Sequence, residues 1–108
     1  MHYRKMLAAM AMTLCAPLLA HAAGDPKAGE NKNSMCVGCH GVDGYKTAFP
    51  DVYHVPKIGG QHAEYLALAL KAYKAGQRKH PSMLGIAAQL SDKDIEDLAA
   101  YYASRKPQ

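Results

Sequence analysis

Two cysteines and a histidine stand as Cys36-Val37-Gly38-Cys39-His40, and that order and spacing suits one chemistry above others, covalent attachment of a c-type haem. The two thiols add across the two vinyl groups of one porphyrin, and the imidazole that follows becomes the proximal ligand of the iron. Val37 and Gly38 are small enough to let the chain turn closely against the macrocycle. A CxxC pair alone also serves thiol redox centres and zinc sites. A thioredoxin-type pair belongs near a βαβ pattern, and no β-rich run surrounds this one. A zinc site needs a second ligand pair, which the spacing of the other Cys and His residues does not offer.

The residue opposite His40 decides between electron transfer and ligand chemistry. Of the 6 methionines, Met1, Met6, Met10 and Met12 fall in an N-terminal export signal, which leaves Met35 and Met83. Met35 adjoins Cys36 and is tethered on the proximal side. Met83 follows His40 by 43 residues, in a Pro-containing segment between two helices, and is the expected sixth ligand. The competing candidates are His54, His62 and His80. Histidine in that position would lower the potential, because thioether ligation raises it relative to imidazole.

The export signal is legible in three parts. Arg4 and Lys5 supply positive charge, Met6 to Ala20 is almost wholly apolar, and Ala20-His21-Ala22 is a small-residue cleavage site. Residues 1–22 are therefore expected to be a cleaved secretory signal, and residues 23–108 a single domain in the periplasm. The apolar stretch is too short to span a bilayer comfortably. Cys15 leaves with the signal, so the two remaining cysteines are both claimed by the motif and no structural disulfide is expected. Without Arg4 and Lys5, the 13 basic residues become 11 against 9 acidic ones, and two haem propionates would cancel that small excess. A nucleic-acid partner inferred from the pI of 9.0 thus has little behind it.

The rest of the chain must position this chemistry. Asp25 as N-cap and Pro26 at the first helical position predict a helix to about Met35. Residues 41–60, with Pro50 and Pro56, read as a loop. Tyr65, Leu66, Ala69, Leu70 and Tyr73 give one apolar face to a helix from about Gln61 to Ala75, which Gly76 ends. Residues 78–85 read as a second loop broken by Pro81, followed by a short helical turn over Ala87 to Leu90. Ser91 caps a last helix to about Ser104 that buries Ile95, Leu98, Ala99 and Tyr102. No segment alternates with period two, so the expected fold is all-α, with about three to five helices and long loops around the haem.

With these residues placed, the chain resembles a small bacterial class I cytochrome c, most of all a single-haem domain of the kind found in dihaem cytochromes of denitrifying and sulfur-oxidising bacteria. The resemblance rests on Gly29 seven residues before Cys36, on the CVGCHG run, on Pro56 to Gln61 followed by Tyr65-Leu66, on Met83, and on Leu90-Ser91-Asp92 leading to Asp97 through Tyr102. It implies the class I cytochrome c fold, in which the first and last helices cross with Gly29 against Tyr101 or Tyr102. It also implies that the Pro56 carbonyl accepts the hydrogen bond of His40 Nδ1. The chain departs from the dihaem proteins in carrying one CxxCH.

The expected function is electron transfer through one covalent haem c cycling between Fe(III) and Fe(II), without catalysis. Redox proteins that dock transiently would be the partners. Lys46, Lys57, Lys71, Lys74, Arg78 and Lys79 precede the cluster Asp92, Asp94, Glu96 and Asp97, a pattern that fits either a surface polarised in sign or a mixed solvated one. A second reading makes the chain the dedicated cytochrome subunit of a periplasmic oxidoreductase, docked through Tyr45, Phe49, Val52 and Tyr53. A five-coordinate sensor or peroxidase would require that Met83 not bind iron.

Overall fold

Short polar residues and prolines start the helices, and most of these start signals act as the sequence indicates. In the computed structural model, which describes residues 24–49 and 51–107, the Asp25 side chain accepts from Lys27 N at 3.0 Å and opens α1, Pro26–Lys32. The expected signal over residues 1–22 and the Pro50 position lie outside the described residues. α1 does not run on to Met35. It breaks at Asn33, whose carbonyl accepts both Cys36 N and Val37 N, and a second helix, α2, covers Ser34–His40. The whole CxxCH motif is thus helical, and it is the helix rather than a tight turn that sets the spacing of its side chains.

The long segment after the motif carries one short regular feature that the sequence does not indicate. Strands β1, Lys46–Thr47, and β2, Tyr53–His54, pair antiparallel with Lys46 opposite His54 and Thr47 opposite Tyr53. Two residues per strand are too few for an alternating pattern to show. Helix α3, Ala63–Lys74, buries Leu66 and Ala67. It ends in a Schellman motif: Gly76, at φ +74°, donates to Tyr73 O at 3.0 Å, and Gln77 donates to Ala72 O at 2.9 Å.

The segment around Met83 differs most from what the sequence predicts. In place of a loop over residues 78–85, α4 spans Pro81–Ala88 with His80 as N-cap. Pro81 acts as a helix starter at its first position, where its missing N–H is no loss, and not as a breaker. The last helix, α5, covers Asp92–Ser104. It opens on a capping box in which Asp94 N donates to Ser91 Oγ at 3.1 Å and Ser91 N donates to Asp94 Oδ2 at 2.9 Å.

Leu66, Ala67, Ile95 and Ala99 form the core between α3 and α5, with Ile58, Leu70, Leu90 and Tyr102 packed around them. α1 crosses α5 at Gly29. A Cβ there would overlap the Asp97 carbonyl and lie 2.7 Å from Tyr101 Cβ, so the bare backbone is what permits the approach. Among the described residues no helix is long and apolar enough to cross a membrane.

By sequence Asp97 belongs with a surface acidic cluster, but it is only 1% exposed. Its carboxylate accepts from Asp25 N at 2.8 Å, Lys32 Nζ at 2.8 Å and Lys93 Nζ at 2.9 Å, which ties α1 to α5. Lys32 also reaches Asp94, and Lys71 pairs with Glu96 at 2.6 Å. Lysines therefore interleave with the acidic residues, which argues for the mixed surface over the polarised one. The Lys32 ammonium holds the Asp94 carboxyl down at about 2 and holds that of Asp97 well below the usual carboxylate range. Both values are depressed, so their stabilisation is complete above about pH 4; the Asp94 share is lost as the pH falls through about 2 and the Asp97 share at lower pH still. Asp97→Asn is expected to lower the thermal midpoint by several degrees at neutral pH, because it leaves Lys32 without its buried partner. The deficit relative to the parent should shrink as the pH is lowered into that window, as followed by circular dichroism.

Candidate functional site

Helix α2 places Cys36, Cys39 and His40 at i, i+3 and i+4, one above the other on the same face. All three are half-buried, while Val37 and Gly38 between them are exposed. Neither thiol is in a disulfide, and burial pushes the Cys36 thiol up from its ordinary value. His40, the last residue of the helix, has Nδ1 2.6 Å from the carbonyl oxygen of Pro56. A carbonyl only accepts, so Nδ1 carries the proton and donates, which leaves the Nε2 lone pair as the one free to bind a metal. The Pro56 segment is itself pinned. Val55 N donates to Tyr45 O at 3.0 Å, Gly60 N donates to Tyr102 O at 2.9 Å, and Lys57 pairs with Asp43.

Cys36, Cys39, His40 and Met83 line one cavity of about 420 Å³, within the size range of cofactor sites. Pro56 also lines it. α3 supplies Tyr65, Leu66, Ala69, Leu70 and Tyr73 to its wall, α4 supplies Met83 and Ile86, and α5 supplies Leu98, Ala99 and Tyr102. Met83 sits half-buried on the third residue of α4, a rigid element rather than a loop. Met35 also borders the cavity, next to Cys36. Of the three competing histidines, His54 and His62 are exposed and lie outside the lining, whereas His80 belongs to it.

A haem needs apolar walls, two nearby sulfurs, an axial nitrogen and partners for its polar edge, and this donor set and lining supply each. Among the described residues two buried polar atoms lack a partner, His80 Nδ1 and the Tyr102 hydroxyl, and both residues line the cavity. Burial pushes the Tyr102 hydroxyl well above its ordinary value. By sequence Tyr102 is a core residue, Arg78 a surface cation and His80 a competing ligand. The structure adds that Arg78 and His80 both border the cavity, just before α4. The signal for this is Pro81, which marks a helix start immediately after His80.

The fold and cavity define an all-α domain built to hold one covalently attached haem. A cytochrome c family model matches residues 27–106, and the chain belongs to the cytochrome c family, which implies a covalently bound haem c with its iron. It is 42% identical over 102 residues to cytochrome c4 of Pseudomonas aeruginosa, covering 94% of this chain and 49% of that protein. It is 48% identical over 87 residues to cytochrome c-554(548) of Halomonas halodenitrificans, covering 78% of this chain and 100% of that one. The crystal structure of reduced recombinant cytochrome c4 from Pseudomonas stutzeri superposes with a TM-score of 0.63 at 42% identity, covering 78% of this chain and 47% of the other. The class I cytochrome c fold follows, and the chain spans about half the length of the cytochrome c4 relatives.

Proposed function

We propose that this chain is a periplasmic electron carrier whose haem iron is held between His40 and Met83. Residues 1–22 would act as the export signal and be removed. The supporting observation is that His40 on α2 and Met83 on α4 line the same apolar cavity as both cysteines. Once bound, the haem supplies one-electron chemistry between Fe(III) and Fe(II). The chain's own part is to fix and shield. Cys36 and Cys39 would anchor the cofactor, Pro56 holds the His40 ring in one tautomer and orientation, and Met83 would shield the iron from water and small ligands. With His40 and Met83 both on the iron, no position would remain for a substrate, which is why the reading is a carrier and not an enzyme.

One observation favours the second reading, a dedicated subunit of a periplasmic oxidoreductase. Phe49 is 86% exposed, Val52 73% and Tyr53 51%, close together in the segment that carries β1 and β2. A carrier that must release its partners is expected to dock through a small, wet patch burying less than about 1,200 Å², whereas a permanent subunit needs a larger and more apolar interface. Gel filtration of a native periplasmic extract in high salt, followed by haem absorbance, separates the two. Elution near the mass of the single chain supports the carrier. Stable coelution with a larger catalytic chain supports the subunit and rejects the carrier.

A further inference from the structure

A buried hydroxyl that finds no acceptor costs the full desolvation of the group, so the Tyr102 phenol needs an explanation that its ring does not. The ring packs against the core of Leu66, Ala67, Ile95 and Ala99 and meets Tyr101 edge-on at 5.0 Å. A phenylalanine would do the same. The hydroxyl, by contrast, is buried at the cavity with no hydrogen-bond partner among the described residues. In a side chain used only for packing, that oxygen is a pure penalty.

The ring is not free to turn elsewhere for a partner, because Tyr102 is held on several sides. It stands in the last turn of α5, and its backbone carbonyl accepts both Gly60 N at 2.9 Å and Arg105 N at 3.1 Å. Gly60, at φ +80°, is closed in by Pro107, which a Cβ there would meet at 2.8 Å. The core on one side and Tyr101 on the other fix the ring between them.

The polar group beside the hydroxyl is the Cys36 thiol. Burial raises both groups first of all; beyond that, the phenol draws the thiol down and the thiol pushes the phenol up. A thiol and a phenol each donate and accept, so the direction of a bond between them is open. Attachment to a porphyrin settles it: the sulfur gives up its proton and becomes a thioether, which only accepts, while the phenol keeps its O–H.

We propose that the Tyr102 hydroxyl donates a hydrogen bond to Cys36 Sγ in its thioether linkage, and that this bond raises the potential of the centre. This rests on the cytochrome reading, and it makes Tyr102 a positioning residue that acts through Cys36 and not on the iron. Electron density drawn toward the O–H is withheld from the porphyrin, which disfavours the more positive, oxidised state.

Resonance Raman spectra of the holoprotein carry the carbon–sulfur stretching bands of the thioether links. In the parent, one of these bands should shift between ordinary and heavy water, because the hydroxyl proton exchanges. Tyr102→Phe keeps the ring and removes only the oxygen. It is expected to abolish that shift and to lower the midpoint potential, with the axial-ligand absorption of the ferric protein unchanged. Tyr101→Phe should keep both the shift and the potential. The solvent comparison is made on the parent, so it stands even where a variant folds poorly. Bands identical in the two solvents, or a shift that persists in Tyr102→Phe, would overturn the proposal. So would a Tyr102→Phe holoprotein with an unchanged potential and a raised thermal midpoint, the result expected of an oxygen that stays unpaired. Failure of the underlying cytochrome reading would look different, as a parent protein with no covalently bound haem.

Discussion

Met83→Ala is expected to convert a closed haem site into an open one while leaving the haem attached. The variant should lose the weak red absorption that thioether ligation gives a ferric haem, show a lower potential, and bind carbon monoxide when reduced. The effect is large because Met83 is placed on α4, whose N-terminal turn is fixed by His80 and Pro81, and no neighbouring thioether replaces it there. Met35, the other methionine at the cavity, adjoins Cys36 on α2. Met35→Leu should therefore retain the absorption and the closed site. Optical spectra of the two variants, oxidised and then reduced under carbon monoxide, check both expectations in one series.

The second large effect is structural. Gly29→Ala places a methyl group against the Asp97 carbonyl and 2.7 Å from Tyr101 Cβ, and backbone atoms at a helix crossing cannot swing aside as a flexible side chain can. α1 must move off α5, which strains the Asp97 contacts to Asp25 N and Lys32 as well. The expected cost is at the upper end of the overpacking range, about 3 kcal/mol, a large share of the roughly 5–15 kcal/mol that holds a domain folded. Gly85→Ala is the matched opposite. Gly85 lies within α4, and a Cβ added there would meet nothing within 4 Å, so the substitution should stabilise by about 0.5–1 kcal/mol through helix propensity alone. Chemical denaturation of the two variants should show midpoints displaced in opposite directions.

Much of this is legible in the sequence because the decisive signals are local. The CxxCH spacing, the Asp25 and Ser91 caps, the Gly76 stop and the apolar faces of α3 and α5 each act within a few residues of themselves, and the structure places them as the sequence indicates. Where sequence and structure differ, a residue has two local uses and tertiary context chooses between them. Pro81 has the pattern of a breaker and instead starts α4; Asn33 gives no warning that α1 ends there and α2 begins. Asp97 looks like one more acidic surface residue, because nothing local marks the carboxylate that α1 folds over. The cavity itself is half legible. Cys36, Cys39 and His40 announce it, and Met83 follows by elimination among the methionines, but the approach of Arg78 and His80 depends on an extended segment and on aromatic contacts that include Tyr53, far back along the chain.

A carrier that binds no substrate requires both faces of the iron to be occupied by the protein. Exposure of the reduced parent protein to carbon monoxide at neutral pH tests it most directly, with Met83→Ala as the open control. The parent's absorption spectrum should not change, and that of the variant should convert fully. A parent spectrum that converts as readily as that of Met83→Ala would contradict it, since Met83 would then not be closing the distal face.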